Sequence, residues 1–294
     1  SGATQGWIPL DDDVVADAAV PPPTQKAIFG YGYAGSAAVS LTNLVNSSGV
    51  VATDTTGVGT ARWYLAAAGY GTDKAIFGYG WSGSATSLSN LVSNSGVVAT
   101  DVTGVGTARR LLAATGYGGD KAIFGYGHAA YSMTNLVSSV GVISSDVTGV
   151  GTGRYALAAA GYGTDKAIFG YGDTGSPNAM TNLVSNVGVV GTDVTGVGTA
   201  RVNLAAAGYG GDKAIFGYGY TSTFVSLTNL VSNSGVVAAD VTGVGTARYI
   251  LTAASYGGDK AIFGYGDASG DLSMTNLVSS SGVVASDVSG VGTA

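Results

Sequence analysis

The sequence predicts an all-β chain, a six-bladed β-propeller of four-stranded antiparallel blades, on three observations. The heptapeptide KAIFGYG recurs unchanged at 26–32, 74–80, 121–127, 166–172, 213–219 and 260–266. Its starts lie 45 to 48 residues apart, a period that signals a repeat architecture before any other reading. Glycine makes up 50 of 294 residues and charged residues only 10%, against the usual ~7% and ~25%. The remainder is rich in Ala, Val, Thr, Ser and Tyr, which suits short strands joined by tight glycine turns. With 46% hydrophobic residues the chain can build a core, which sets it apart from disordered sequences.

Each unit divides into four strands, illustrated by the second copy. RWYLAAAGYG (62–71) supplies the first, whose run of small residues fits the crowded innermost position near an axis. A Thr-Asp turn leads to KAIFGYG, the second strand. In it Ala27, Phe29 and Tyr31 are expected on one face and Ile28 with the glycines on the other. A variable loop precedes the third strand, SLSNLVS. Asn-Ser-Gly, good hairpin-turn chemistry, then leads to the fourth, VVATDV. TGVGT carries the chain onward. The phenylalanines of the six heptapeptides, Phe29, Phe77, Phe124, Phe169, Phe216 and Phe263, are expected between blades. A stacked β-solenoid is the rival architecture, but a unit of this length is long for one coil.

The unit resembles the kelch repeat. In kelch blades an arginine precedes the first strand, and about sixteen residues later a glycine pair ends the second. Here Arg62 stands sixteen before Gly78 and Arg109 sixteen before Gly125. The pattern departs from kelch where the glycine pair opens to GYG and where the late-blade Trp is absent. The DKAIFGYG…TNLVSNSGVVATDVTGVGTAR units also look like repeat regions in virion and tail proteins of environmental tailed phages. That likeness implies a virion or extracellular location.

The first unit lacks the ARxxLAAAGYGTD segment and has VVADAAVPPPTQ (14–25) in its place. Val14–Val20 is expected to form its inner strand, and the prolines at 21–23 demand an edge or loop position. The propeller would then span 14–294, closing by packing between units one and six. Residues 1–13 would be an N-terminal linker or extension.

Composition excludes several functions. The net charge of −6 offers no basic stripe for nucleic acid. No apolar run approaches the ~20 residues of a membrane span. With no cysteine, disulfide frameworks and thiolate metal sites are absent. The lone histidine, His128, has no second histidine and no cysteine to work with, so no catalytic residues are assigned. The copper site of galactose oxidase, which shares the kelch-like propeller, needs Cys, Tyr and His together. Asp11–Asp13 lacks the spaced ligands of a calcium loop, and the glycine loops lack the helix of a phosphate site. No metal or cofactor is expected, and a propeller enzyme is the least favoured class.

Two sets of positions remain. Arg62, Arg109, Arg154, Arg201 and Arg248 recur once per unit, each eight residues after an Asp. They read either as a structural ring, pairing with Asp or capping carbonyls between blades, or as an anion-binding ring at a channel mouth. The other set is where the copies differ: the loop after each GYG and the pair after each Arg. Because strand direction alternates, both zones fall on one face. That face carries Tyr33, Trp63, Tyr64, Trp81, His128, Tyr131, Tyr155, Tyr220, Phe224 and Tyr249. Tyrosine and tryptophan supply rigid contact area with polar tips. The expectation is a non-enzymatic binding module that engages a surface glycan or host receptor, with other virion proteins as further partners. Neutral drift of unconstrained loops, on a purely structural or capsid-decoration module, is the alternative.

Overall fold

The computed structural model describes residues 26–293. The regular structure of these residues is β throughout, in six antiparallel sheets, one per repeat. The first sheet pairs β1 (Ala27–Ala34) with β2 (Ala37–Val45). The second comprises β3 (Ala66–Tyr70), β4 (Lys74–Gly78) and β5 (Ser89–Val92). The third has β6 (Ala113–Tyr117), β7 (Lys121–Gly127) and β8 (Tyr131–Val137). The fourth has β9 (Ala158–Tyr162), β10 (Lys166–Gly170) and β11 (Thr181–Val184). The fifth has β12 (Ala205–Tyr209), β13 (Lys213–Gly217) and β14 (Thr228–Val231). The sixth has β15 (Thr252–Tyr256), β16 (Lys260–Gly264) and β17 (Thr275–Val278).

The KAIFG strand is the middle of each three-stranded sheet, and the register repeats from unit to unit. Phe77 stands opposite Ala67 and Asn90, and Phe169 opposite Ala159 and Asn182. The first sheet has two strands among the described residues. The segments assigned to its inner strand, 14–20, and to the linker, 1–13, lie outside those residues.

The fourth strand of each unit is not a continuous strand. Its segment touches the third at two isolated bridges, Val92↔Val98 and Ser89↔Val102 in unit two. Three steps along β5 are matched by four along its partner, so one residue bulges out. A side chain helps to break the ladder: the Asn90 amide donates to Ala99 O at 3.0 Å and to Asp101 Oδ1 at 2.9 Å. Asn135, Asn182, Asn229 and Asn276 do the same in later units.

The seams between sheets explain why the heptapeptide never varies. Between units two and three, Ile76 and Tyr79 of one meet Ala122 and Phe124 of the next. Phe77, Phe124, Phe169, Phe216 and Phe263 are 0–2% exposed, and Phe29 is 4% exposed. The tyrosine does not share the phenylalanine's face, as simple alternation requires. Tyr79 has a φ of 64°, and all six GYG tyrosines have φ between 61° and 66°. This left-handed kink carries the ring to the isoleucine side. The preceding glycine allows close approach, since a Cβ on Gly78 would stand 2.7 Å from the Phe124 ring. The phenylalanine then meets the tyrosine at a steep angle, with Tyr79 and Phe124 centroids 5.2 Å apart.

Each sheet packs on the next in this manner, and the sixth packs on the first. Phe29 lies 5.4 Å from Tyr265, in one cluster with Tyr256 and Ile262. Inner strands crowd together: a Cβ on Gly116 would lie 3.3 Å from Gly69 O, so only Ala, Gly and similar small residues fit.

Candidate functional site

The arginines form the floor beneath the variable positions. All five are 0–1% exposed. Arg154 donates from Nε to Tyr171 O at 2.9 Å, from NH1 to Thr152 O at 3.2 Å, and from NH2 to Asn182 Oδ1 at 2.6 Å. Asp193 stands 3.8 Å away, and the guanidinium covers the Tyr126 ring of the preceding unit at 4.4 Å. The ion pair is therefore made late in the arginine's own unit, not with the Asp eight residues earlier. The link to the neighbouring unit is the tyrosine ring and the amide of the glycine after it, as in Gly127 N–H to Arg154 O at 3.0 Å. Burial pushes each guanidinium below its ordinary value, and none is presented to solvent as an anion-binding ring requires.

Immediately after each arginine the chain turns sharply. Tyr64, Leu111, Ala156, Asn203 and Ile250 all have φ between 52° and 55°. Their backbones link unit to unit: Leu111 N–H donates to Tyr64 O, Ala156 to Leu111, Asn203 to Ala156 and Ile250 to Asn203, at 2.8–2.9 Å. The residue types differ, but the ladder is made by the backbone and is the same each time.

The two variable zones lie side by side on this ladder. Trp63 exchanges two hydrogen bonds with Trp81, Tyr155 with Asp173, Val202 with Tyr220, and Tyr249 with Asp267, at 2.8–3.1 Å. Side chains also meet across the seams. Tyr33 is 5.0 Å from Trp63, His128 is 5.5 Å from Tyr155 and Tyr220 is 5.8 Å from Tyr249. Trp63 contacts Tyr64 at 4.0 Å, and Phe224 stacks on Tyr249 at 5.0 Å and 19°. The result is a belt of side chains running through successive units on one end of the molecule. Tyr33 and His128 are exposed, and the other members are half-buried. Burial, then the nearby Asp173, raises the Tyr155 hydroxyl; burial, then Asp267 and Tyr220, raises Tyr249.

The opposite end is more uniform, though its turns vary in a residue or two. Lys74, Lys121, Lys166, Lys213 and Lys260 each pair with the preceding Asp at 2.7–3.1 Å. The Asn-Ser-Gly turn lies beside them, with Asn94 Nδ2 donating to Asp73 Oδ2 at 3.1 Å. Its valines project outward: Val97 is 65% exposed, Val236 66% and Val283 65%. Among the described residues no group of three His, Cys, Asp or Glu side chains could hold a metal ion.

Of the ten candidate residues, nine make aromatic or backbone contacts within the belt. Tyr131 does not join an aromatic pair. It starts β8 and lines a shallow hollow with Met133, Asp146, Val147 and Gly149. Arg110, absent from the candidates, belongs with the belt: its guanidinium lies 4.1 Å over Trp81. The doubled arginine at 109–110, where the other copies have one, was its signal in the sequence. No protein-family model matches the chain, and no curated protein matches it significantly.

Proposed function

We propose that this chain is a non-enzymatic binding module, a kelch-like six-bladed propeller that engages a surface ligand such as carbohydrate through the aromatic belt. The observation that carries this reading is a coincidence of position. The largest differences between the copies, the loop after GYG and the residues after the arginine, sit at one end, joined side by side, on a scaffold that is otherwise nearly repeated. Aromatic faces stack on the apolar faces of sugars, and tyrosine hydroxyls and indole N–H groups bond to their hydroxyls. The cyclic order of sheet contacts supports the propeller, with each three-stranded sheet plus its bridged fourth segment acting as a blade. The likeness of the repeats to phage virion proteins favours a receptor-recognition module on a virion. Each blade offers a shallow site, so affinity comes from several blades or several copies together.

A second reading, a structural or decoration module, draws on the uniform end. Its exposed valines recur in every unit and suit docking to other particle proteins. The experiment is a screen of glycans and host cell surfaces, comparing the native chain with a Trp81→Ala, Tyr220→Ala double variant. Loss of binding at an unchanged melting temperature is expected. Retained binding, or a ligand that maps to the Lys–Asp turns, refutes the belt as the working surface.

A further inference from the structure

The belt has one charge that no described residue answers. The chain has twelve cationic side chains. Five are the buried arginines. Five are lysines paired with Asp at the uniform end, and Lys26 holds the corresponding place at the start of unit one. Arg110 is the twelfth and the one cation of the variable end.

It occupies the position of Trp63, Tyr155, Val202 and Tyr249 in other units. Its guanidinium carbon lies over an indole, 4.1 Å from the Trp81 ring centroid. Its Nε is shut off from solvent and has no hydrogen-bond acceptor among the described residues. Among the described residues no carboxylate lies within ion-pair distance of it. The acids at this end are engaged elsewhere: Asp173 accepts from Gly175 N–H at 2.6 Å, Asp267 from Ser269 N–H at 2.9 Å, and Asp271 from Gly35 N–H at 3.3 Å. The Tyr64 hydroxyl lies within electrostatic reach of both Tyr249 and Arg110. The cation therefore has the Trp81 indole beneath it and the Tyr64 hydroxyl within reach.

A guanidinium is planar and presents its donors in a rigid fork that matches a carboxylate. Aromatic faces beside it offer a platform for a sugar ring. Resting on the reading of the belt as a glycan surface, we infer that its ligand is an acidic glycan, whose carboxylate pairs with Arg110 while the sugar stacks on Trp63 or Tyr64. An acidic peptide would satisfy the fork but would leave the aromatic platform without a matching ring.

The test is titration of the full chain with oligogalacturonate, neutral dextran, dextran sulfate and poly-glutamate, using native protein, Arg110→Leu and Arg110→Lys. Oligogalacturonate should bind, and Arg110→Leu should weaken it by about tenfold or more, the scale of a hydrogen bond to a charged group. Arg110→Lys keeps the charge but not the fork. It should bind between the two, which keeps the test sound if the leucine variant is unstable. Equal affinity in all three proteins overturns the inference, as does tighter binding of poly-glutamate or dextran sulfate. Equal binding of dextran and oligogalacturonate removes the acidic preference but leaves a glycan surface. If no glycan binds, both readings fall.

Discussion

Arg154 shows how one residue fixes a unit. Its guanidinium satisfies a strand carbonyl, a loop carbonyl and the Asn182 amide oxygen, all out of solvent. Removing it strands these acceptors in the interior and bares the Tyr126 ring. Arg154→Ala should cost about 3 kcal/mol, the scale of breaking a buried charged contact, read as a fall in the urea midpoint, with ligand binding unchanged. The sequence made the recurrence of this arginine and its distance from the glycine legible. Its partner was not legible, because Asp193 and the nearer Asp146 recur with the same period, and periodicity alone cannot say which Asp folds back. Asp146 instead binds Thr107 of the preceding linker, Oγ1 to Oδ2 at 2.7 Å. Arg110 escaped notice for a related reason. Beside a repeated arginine it looked like local variation, and its isolation emerges only once the other arginines are seen to be buried and the lysines to lie at the opposite end.

At the scale of the element, the turns and the central KAIFG strand were legible from Gly, Asn and Asp placement and from alternation. The face taken by the GYG tyrosine was not. Alternation assumes extended backbone, and a left-handed tyrosine between two glycines breaks it. The fourth strand dissolves into two bridges because its carbonyl partner is an asparagine side chain, which a hydrophobic pattern does not register. These elements also set the pH response. Burial alone would raise the Asp101 carboxyl, but hydrogen bonds from Thr60 and Asn90 and the Arg62 charge hold it below its ordinary value. Asp146, Asp193, Asp240 and Asp287 behave alike. Their contribution is complete above the unfolded carboxylate range near pH ~4 and is lost as pH falls through the lower folded values. At the other extreme, burial raises Tyr79, Tyr218 and Tyr265 from 10.0 to about 12. The unfolded chain releases those protons first, so stability falls as pH rises from about 10 towards 12. A melting curve against pH should be level between about 5 and 9 and decline at both ends. A decline within that range would contradict this assignment.

At the scale of the molecule, six units were countable from the heptapeptide and packing of unit six on unit one was expected, but the residues that make the join were not legible, because unit one departs from the repeat where they must meet. The contact resembles every other seam. Thr293 donates from Oγ1 to Asp54 Oδ2 at 2.6 Å, as Thr60 does to Asp101 at the same distance. If this seam holds as the others do, Asp54→Ala should lower stability by about 1 kcal/mol in a urea titration, a net hydrogen-bond contribution, and by less than Asp146→Ala, which also loses the Arg109 contact at 3.7 Å. No change with Asp54→Ala would mean that the sixth sheet does not secure the first.

The division of labour between a repeated scaffold and a varied belt is tested most directly by a levelled chain. In it, every loop after GYG and every residue after a buried arginine takes the unit-four sequence, DTGSPNA and Tyr155. The melting temperature should stay within a few degrees of the native value, because the backbone ladder and the seams are untouched. Binding to the glycan or cell surface recognised by the native chain should disappear. Full binding by the levelled chain would contradict the account, since recognition would then reside in the positions that never change.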